Sequence, residues 1–251
     1  MNNIKMIFIF TVILIIGWLI YEIREYIFWF CGAINVTLKN KKGIKDIQKV
    51  GMNKRNLNNE TIKEYISHSR KILNDLNIEL GRKFILNDEL ERHLRYSRFS
   101  EKYVIELLHE ILAYIGLDKN DINLKINYIS SKYNIAYAGS YSEKQNEKNQ
   151  RDMVLNIQND MTMDTIISVI AHECTHHLLL SNNKRLNDRL ENECLTDVTA
   201  ILLGFGKYMV EGYKISNKVI YDEINHRSIK KNRVGYLSYK DIEYAMKNIN
   251  K

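Results

Sequence analysis

Residues 166–180 read IISVIAHECTHHLLL, and this run restricts the possible folds more severely than any other feature of the chain. As a helix it is apolar on every side, so it has no face to give to water. It must pass through the middle of a domain with other elements packed around it. Yet it carries His172, Glu173, His176 and His177. Imidazoles and a carboxyl are costly to bury without partners, so the fold must bring polar groups or a cation to them. His172 and His176 lie four residues apart, which places both rings on one helical face with Glu173 beside it.

The flanking patterns describe the rest of the body. Thr61–Leu76 has helical spacing at Ile62, Tyr65, Ile66, Ser69, Leu73 and Leu76. Ser100–Leu117 is a second helix, with Gly116 placed to end it. Ile122–Ile129 alternates apolar and polar residues and reads as a strand. Tyr133–Tyr141 is expected as a second strand, polar Glu143–Arg151 as a loop, and Met153–Ile157 as a third short strand. From Thr162 onward the pattern is helical in at least three pieces, with a turn through Asn182–Arg185. The fold class expected is α+β, mostly helical, with a small sheet of about three or more strands. Cys31, Cys174 and Cys194 are too few and too scattered for a disulfide framework, and Cys174 and Cys194 are expected as buried thiols.

The chain's net charge of +7 is local. Residues 38–58 hold Lys39, Lys41, Lys42, Lys45, Lys49, Lys54 and Arg55 against Asp46 alone. The body beyond them is nearly neutral, which argues against a nucleic-acid partner. Met6–Tyr21 is free of charged residues, and Tyr26–Leu38 is apolar again. Sixteen helical residues span ~24 Å, a little under the ~30 Å hydrocarbon core, with Trp18 and Tyr21 as interfacial anchors. No small-residue cleavage site follows, so an uncleaved transmembrane helix over about 5–21 is expected rather than a signal peptide. Arg24 and the 39–55 cluster outweigh Lys5, which puts the body on the cytoplasmic side of a single-pass cell-membrane protein. The expected organisation is an anchor over 1–37, a basic juxtamembrane linker over 38–58 and the catalytic body over 59–251.

Two histidines in H-E-x-x-H spacing, one further ligand and an open fourth position make a catalytic zinc arrangement rather than a closed structural one. Metzincins need Gly and His at positions occupied here by Leu179 and Asn182, and the next histidine is His226. The third ligand is therefore expected to be an acid, from among Asp188, Glu191, Glu193 and Asp197. Glu193 and Asp197 are four apart and share a helical face. Glu193 can ligate while Asp197 accepts a hydrogen bond from a ligand histidine. His177 is expected to be a packed histidine.

His172-Glu-Cys-Thr-His176 followed by Asn192-Glu193-Cys-Leu-Thr196-Asp197 resembles the H-E-x-x-H…N-E-x-x-[ST]-D pattern of gluzincins, the thermolysin-like zinc peptidases, across residues 172–197. The resemblance implies a compact zincin-like domain with Zn2+ at His172, His176 and Glu193, Glu173 as general base and Asp197 behind a ligand histidine. It also implies the order antiparallel edge strand, active-site helix, glutamate helix, here Met153–Ile157, Thr162–Leu180 and Asn187–Lys207. A downstream His or Tyr would stabilise the oxyanion, with His226, Tyr221 and Tyr236 as candidates. The expected function is a membrane-anchored zinc metallopeptidase acting on a peptide or protein substrate. The competing expectation is a non-catalytic zinc-binding regulatory protein of the same fold, which has no need of Glu173. The pattern says nothing of oligomeric state.

Overall fold

The computed structural model describes residues 57–129, 138–214 and 235–249. The expected anchor, the basic linker and two site candidates, Tyr221 and His226, lie outside them. Among the described residues, no helix is long and apolar enough to cross a membrane.

Helix α1, Asn59–Asp75, is capped by Asn58, whose side chain accepts the Thr61 amide at 2.8 Å. It buries Ile62, Ile66 and Leu73. Helix α2, Asp88–Tyr96, is not evident in the hydrophobic periodicity. Its signals are the capping Asn87, acids in the first turn and the Leu90–Leu94 pair on one face. Helix α3, Glu101–Ile115, ends at Gly116 as its sequence predicts.

A three-stranded sheet follows, made of β1 (Ile122–Ile129), β2 (Gly139–Gln145) and β3 (Arg151–Gln158), in the order β1-β3-β2. β1 runs parallel to β3, and β2 antiparallel to it. Two expectations change here. The stretch expected over Met153–Ile157 is the central strand, not the edge, which explains its burial from Leu155 through Gln158. The antiparallel edge strand is β2, so the loop expected over Glu143–Arg151 narrows to a turn between Gln145 and Arg151. β2 reads GSYSEKQ, and its polarity follows from being packed, among the described residues, along one edge and one face only. The expected strand over Tyr133–Tyr141 overlaps it at its C-terminal end, and residues 130–137 lie outside the described set.

Helix α4, Met163–Ser181, starts at the capping Thr162. It touches α3, β2, β3 and the two helices that follow, so nearly every side of it is covered. Helix α5, Arg189–Ala200, begins at Asp188, whose carboxylate accepts the Glu191 amide at 2.9 Å. The single helix expected over Asn187–Lys207 is broken by a wide turn at Ile201–Phe205, after which α6 covers Gly206–Lys214. Gly204 makes the break, with φ of 106°. A Cβ there would come within 2.5 Å of the Arg82 carbonyl oxygen and 2.7 Å of the Tyr114 hydroxyl. Helix α7, Tyr239–Asn248, is closed by a capping box between Ser238 and Asp241.

Candidate metal centre

One helical turn of α4 brings the His172 and His176 rings to a centroid separation of 4.6 Å, nearly perpendicular to one another. Glu193 projects from α5 onto both of them. Its Oε2 lies 3.1 Å from His172 Nε2 and 2.9 Å from His176 Nε2. The three potential donor atoms all fall within 4.8 Å of one another. Asp188 and Glu191, the other acids in range by sequence, belong to the capped start of α5 and not to this cluster.

The other nitrogen of each ring decides what the cluster can hold. His172 Nδ1 donates to Asp197 Oδ1 at 2.8 Å. The Thr196 hydroxyl gives its proton to the Asn192 carbonyl at 2.7 Å, so at 3.3 Å it accepts from His176 Nδ1. With both Nδ1 atoms protonated, a neutral imidazole presents a lone pair at Nε2. Two such lone pairs then converge on a carboxylate oxygen, which is repulsive unless protons or a cation lie between them. A tetrahedral ion with bonds of ~2.0–2.1 Å separates its donor atoms by about 3.3 Å, close to the spacings found. The donor set, two imidazoles and one carboxylate, suits zinc.

Electrostatics agree with a site built for positive charge. Burial works against the ionised Glu193 carboxyl, but hydrogen bonds from both histidines hold it well below the usual range. Burial also opposes the imidazolium of His172, yet Asp197, Glu193 and Glu173 together push its pKa well above the ordinary value. Glu173 is 7% exposed, and burial raises its carboxyl although both histidines pull the other way. Gly139 of β2 lies directly against it: a Cβ there would come 2.7 Å from Glu173 Oε1 and 2.5 Å from a methyl of Val169.

Asp197 is fully buried and takes four hydrogen bonds. Oδ1 accepts from His172 and, at 2.9 Å, from the Tyr213 hydroxyl. Oδ2 accepts the Tyr236 and Leu237 amides at 2.8 and 3.0 Å. These bonds keep its pKa low against the opposing effect of burial. The segment entering α7 is thereby drawn over the site, and the Tyr236 ring stacks on His172 at 5.9 Å with 20° between planes.

No protein-family model, curated protein or solved structure matches the chain. The site therefore rests on its own geometry. The structure unites His172, Glu173, His176, Glu193 and Asp197, and adds Tyr236 from among the three downstream candidates. Sequence reasoning misses Tyr213, Gly139 and the two backbone amides. A backbone donor leaves no mark in a sequence, and a glycine gives no sign of what its missing Cβ would strike. Cys174 and Cys194 are buried thiols, with burial pushing Cys174 well up. His177 is packed, as expected, and contacts Tyr141.

Proposed function

We propose that the chain is a zinc-dependent metallopeptidase, anchored in the cell membrane through residues 5–21 with its body in the cytoplasm. The observation that carries the catalytic reading is a buried Glu173 carboxyl beside two imidazoles and a carboxylate whose potential ligand atoms lie within 4.8 Å of one another. A structural metal site needs no such base, which favours catalysis over a purely binding role. His172, His176 and Glu193 would hold the ion. Bound there, zinc supplies Lewis acidity, polarising a peptide carbonyl and acidifying water.

The chain's own groups carry the remaining work. Asp197 and Thr196 hold the two imidazoles in the tautomer that directs Nε2 at the site. Glu173, its affinity for a proton raised by burial, takes the proton of the attacking water and passes it to the leaving amine. Tyr236, whose ring stacks on His172, would donate toward charge developing on the substrate oxygen. The substrate docks as an added strand on the edge of β2 that is unpaired among the described residues, next to Glu173. The anchor rests on the apolar run Met6–Tyr21 and on the seven bases that follow in 38–58.

The test is direct. Purified full-length chain should contain about one zinc and cleave members of a fluorescence-quenched peptide library. Glu173→Gln should keep the metal and lose turnover, because the base is not a ligand. Protein that purifies metal-free and takes up no added zinc would sink the proposal. On intact cells, external protease should leave the body whole, and its digestion would reverse the orientation.

A further inference from the structure

About a third of a turn round α4 from His172 and His176, on the side that carries Glu173, lies a second polar cluster that the chemistry above does not use. His177 is 1% exposed. Its Nδ1 accepts the Tyr141 hydroxyl at 2.6 Å, which leaves the proton on Nε2, facing the Asp121 carboxylate at 3.4 Å. The Tyr141 and His177 rings also meet edge to face at 5.7 Å. Tyr141 belongs to β2, and His177 follows the ligand His176 directly. This is a buried polar tie between the sheet edge and the metal-bearing helix.

The register shows why that tie matters. The Ala138 carbonyl accepts the Asn156 amide at 2.8 Å, so the 138–156 pair is one whose backbone groups bond to each other. Gly139 opposite Leu155 and Tyr141 opposite Met153 are then the alternate pairs. Their N–H and C=O groups point away from β3, toward the edge of β2 that is unpaired among the described residues. The same alternation turns Gly139 and Tyr141 to the α4 face, where one abuts Glu173 and the other bonds His177. Immediately beyond Tyr141 the ladder is interrupted and resumes at Gln145. The stretch 139–141 is therefore held to β3 by few ladder bonds, and the Tyr141–His177 tie adds to that hold, beside the Arg151 guanidinium of β3, which also reaches His177 Nδ1 at 3.4 Å.

We propose that Tyr141 and His177 are positioning residues that fix the edge groups of Gly139 and Tyr141 relative to Glu173, and so set how an extended peptide is seated for cleavage. This rests on the peptidase reading above. Neither residue touches the reacting atoms. Loss of the tie should therefore weaken seating of long substrates and leave the base and metal ligands in place.

The experiment uses zinc-loaded full-length chain carrying Tyr141→Phe, His177→Gln, or both, with zinc content and circular dichroism checked first. Amide exchange followed by mass spectrometry reads the strut without any need for activity. Tyr141→Phe should speed exchange across 138–145 by about five- to tenfold, the scale of one lost hydrogen bond, and leave 172–176 unchanged. In the double variant the loss should be no greater than in the worse single variant, as expected for two residues in one interaction. Against quenched decapeptides, Tyr141→Phe should raise KM about fivefold with kcat nearly constant, and blocked dipeptides too short to span the edge should show no change. Unchanged exchange in both single variants overturns the strut. Faster exchange with equal losses on decapeptides and dipeptides overturns the seating role. Wild-type chain that cleaves neither substrate refutes the peptidase reading and the seating role with it, while the exchange result still decides the strut.

Discussion

Asp197→Asn changes one oxygen to an NH2 group, and the four donors around Asp197 make that small change severe. If the NH2 faces the Tyr236 and Leu237 amides, two N–H groups confront it that cannot turn round. Each buried donor left without an acceptor costs about 1–3 kcal/mol, hence ~2–6 kcal/mol for the pair. That is a large part of the ~5–15 kcal/mol by which a domain is stable, so the amide should take the other orientation. There the NH2 faces the Tyr213 hydroxyl and His172 Nδ1. The hydroxyl can rotate to accept. His172 accepts only by moving its proton to Nε2, the atom that faces Glu193. At high pH, where His172 is neutral and the charge of Asp197 no longer supports an imidazolium, the variant should therefore fold well without metal and bind zinc poorly, since binding forces the first orientation. An expense of ~2–6 kcal/mol corresponds to zinc affinity lowered by about 30-fold or more. That exceeds the lower end of the ~10–100-fold usual for groups behind a ligand. Chelator competition on full-length wild type and variant, with thermal unfolding of both metal-free forms, measures the two halves of the argument. Zinc affinity within about threefold of wild type would refute it, as would a metal-free variant that unfolds several kcal/mol more easily at high pH, where His172 is neutral.

Other outcomes follow from the same geometry. Gly139→Ala puts a methyl against Glu173 and Val169, which should cost about 1–3 kcal/mol by overpacking and lower kcat at least tenfold with zinc retained; steady-state kinetics beside metal analysis check this. In metal-free protein His172 has its pKa raised on folding, so its contribution to stability is complete below ~6.5 and is lost as pH rises through the folded value. Zinc competes with that proton, so the gain in melting temperature on adding zinc should grow from about pH 6 to pH 9. Metal-free stability that rises across the same window would contradict the charge assignment of His172.

Local pattern reaches far into this protein, for reasons visible in particular residues. An apolar stretch such as 166–180 can only be central, and residues four apart on a helix must share a face. Those two facts place His172 with His176 and Glu193 with Asp197 before any tertiary contact is known. The edges of β1 and the cap at Gly116 are likewise written in residues next to one another. Local pattern fails where identity and environment separate. β2 is polar because it lies at an edge, and only the first three residues of GSYSEKQ fall within the strand expected over Tyr133–Tyr141. The central place of β3 depends on which strands pair with it, a choice made by packing across long sequence separations. Tyr141 is 36 residues from His177, and the amides of Tyr236 and Leu237 are 39 and 40 residues from Asp197. Asp197 can thus be recognised from sequence as the group behind a candidate ligand histidine, but its four donors become visible only once the chain has folded over it. Backbone N–H groups are the same in every residue but proline, so tertiary structure alone selects which two of them a buried carboxylate meets.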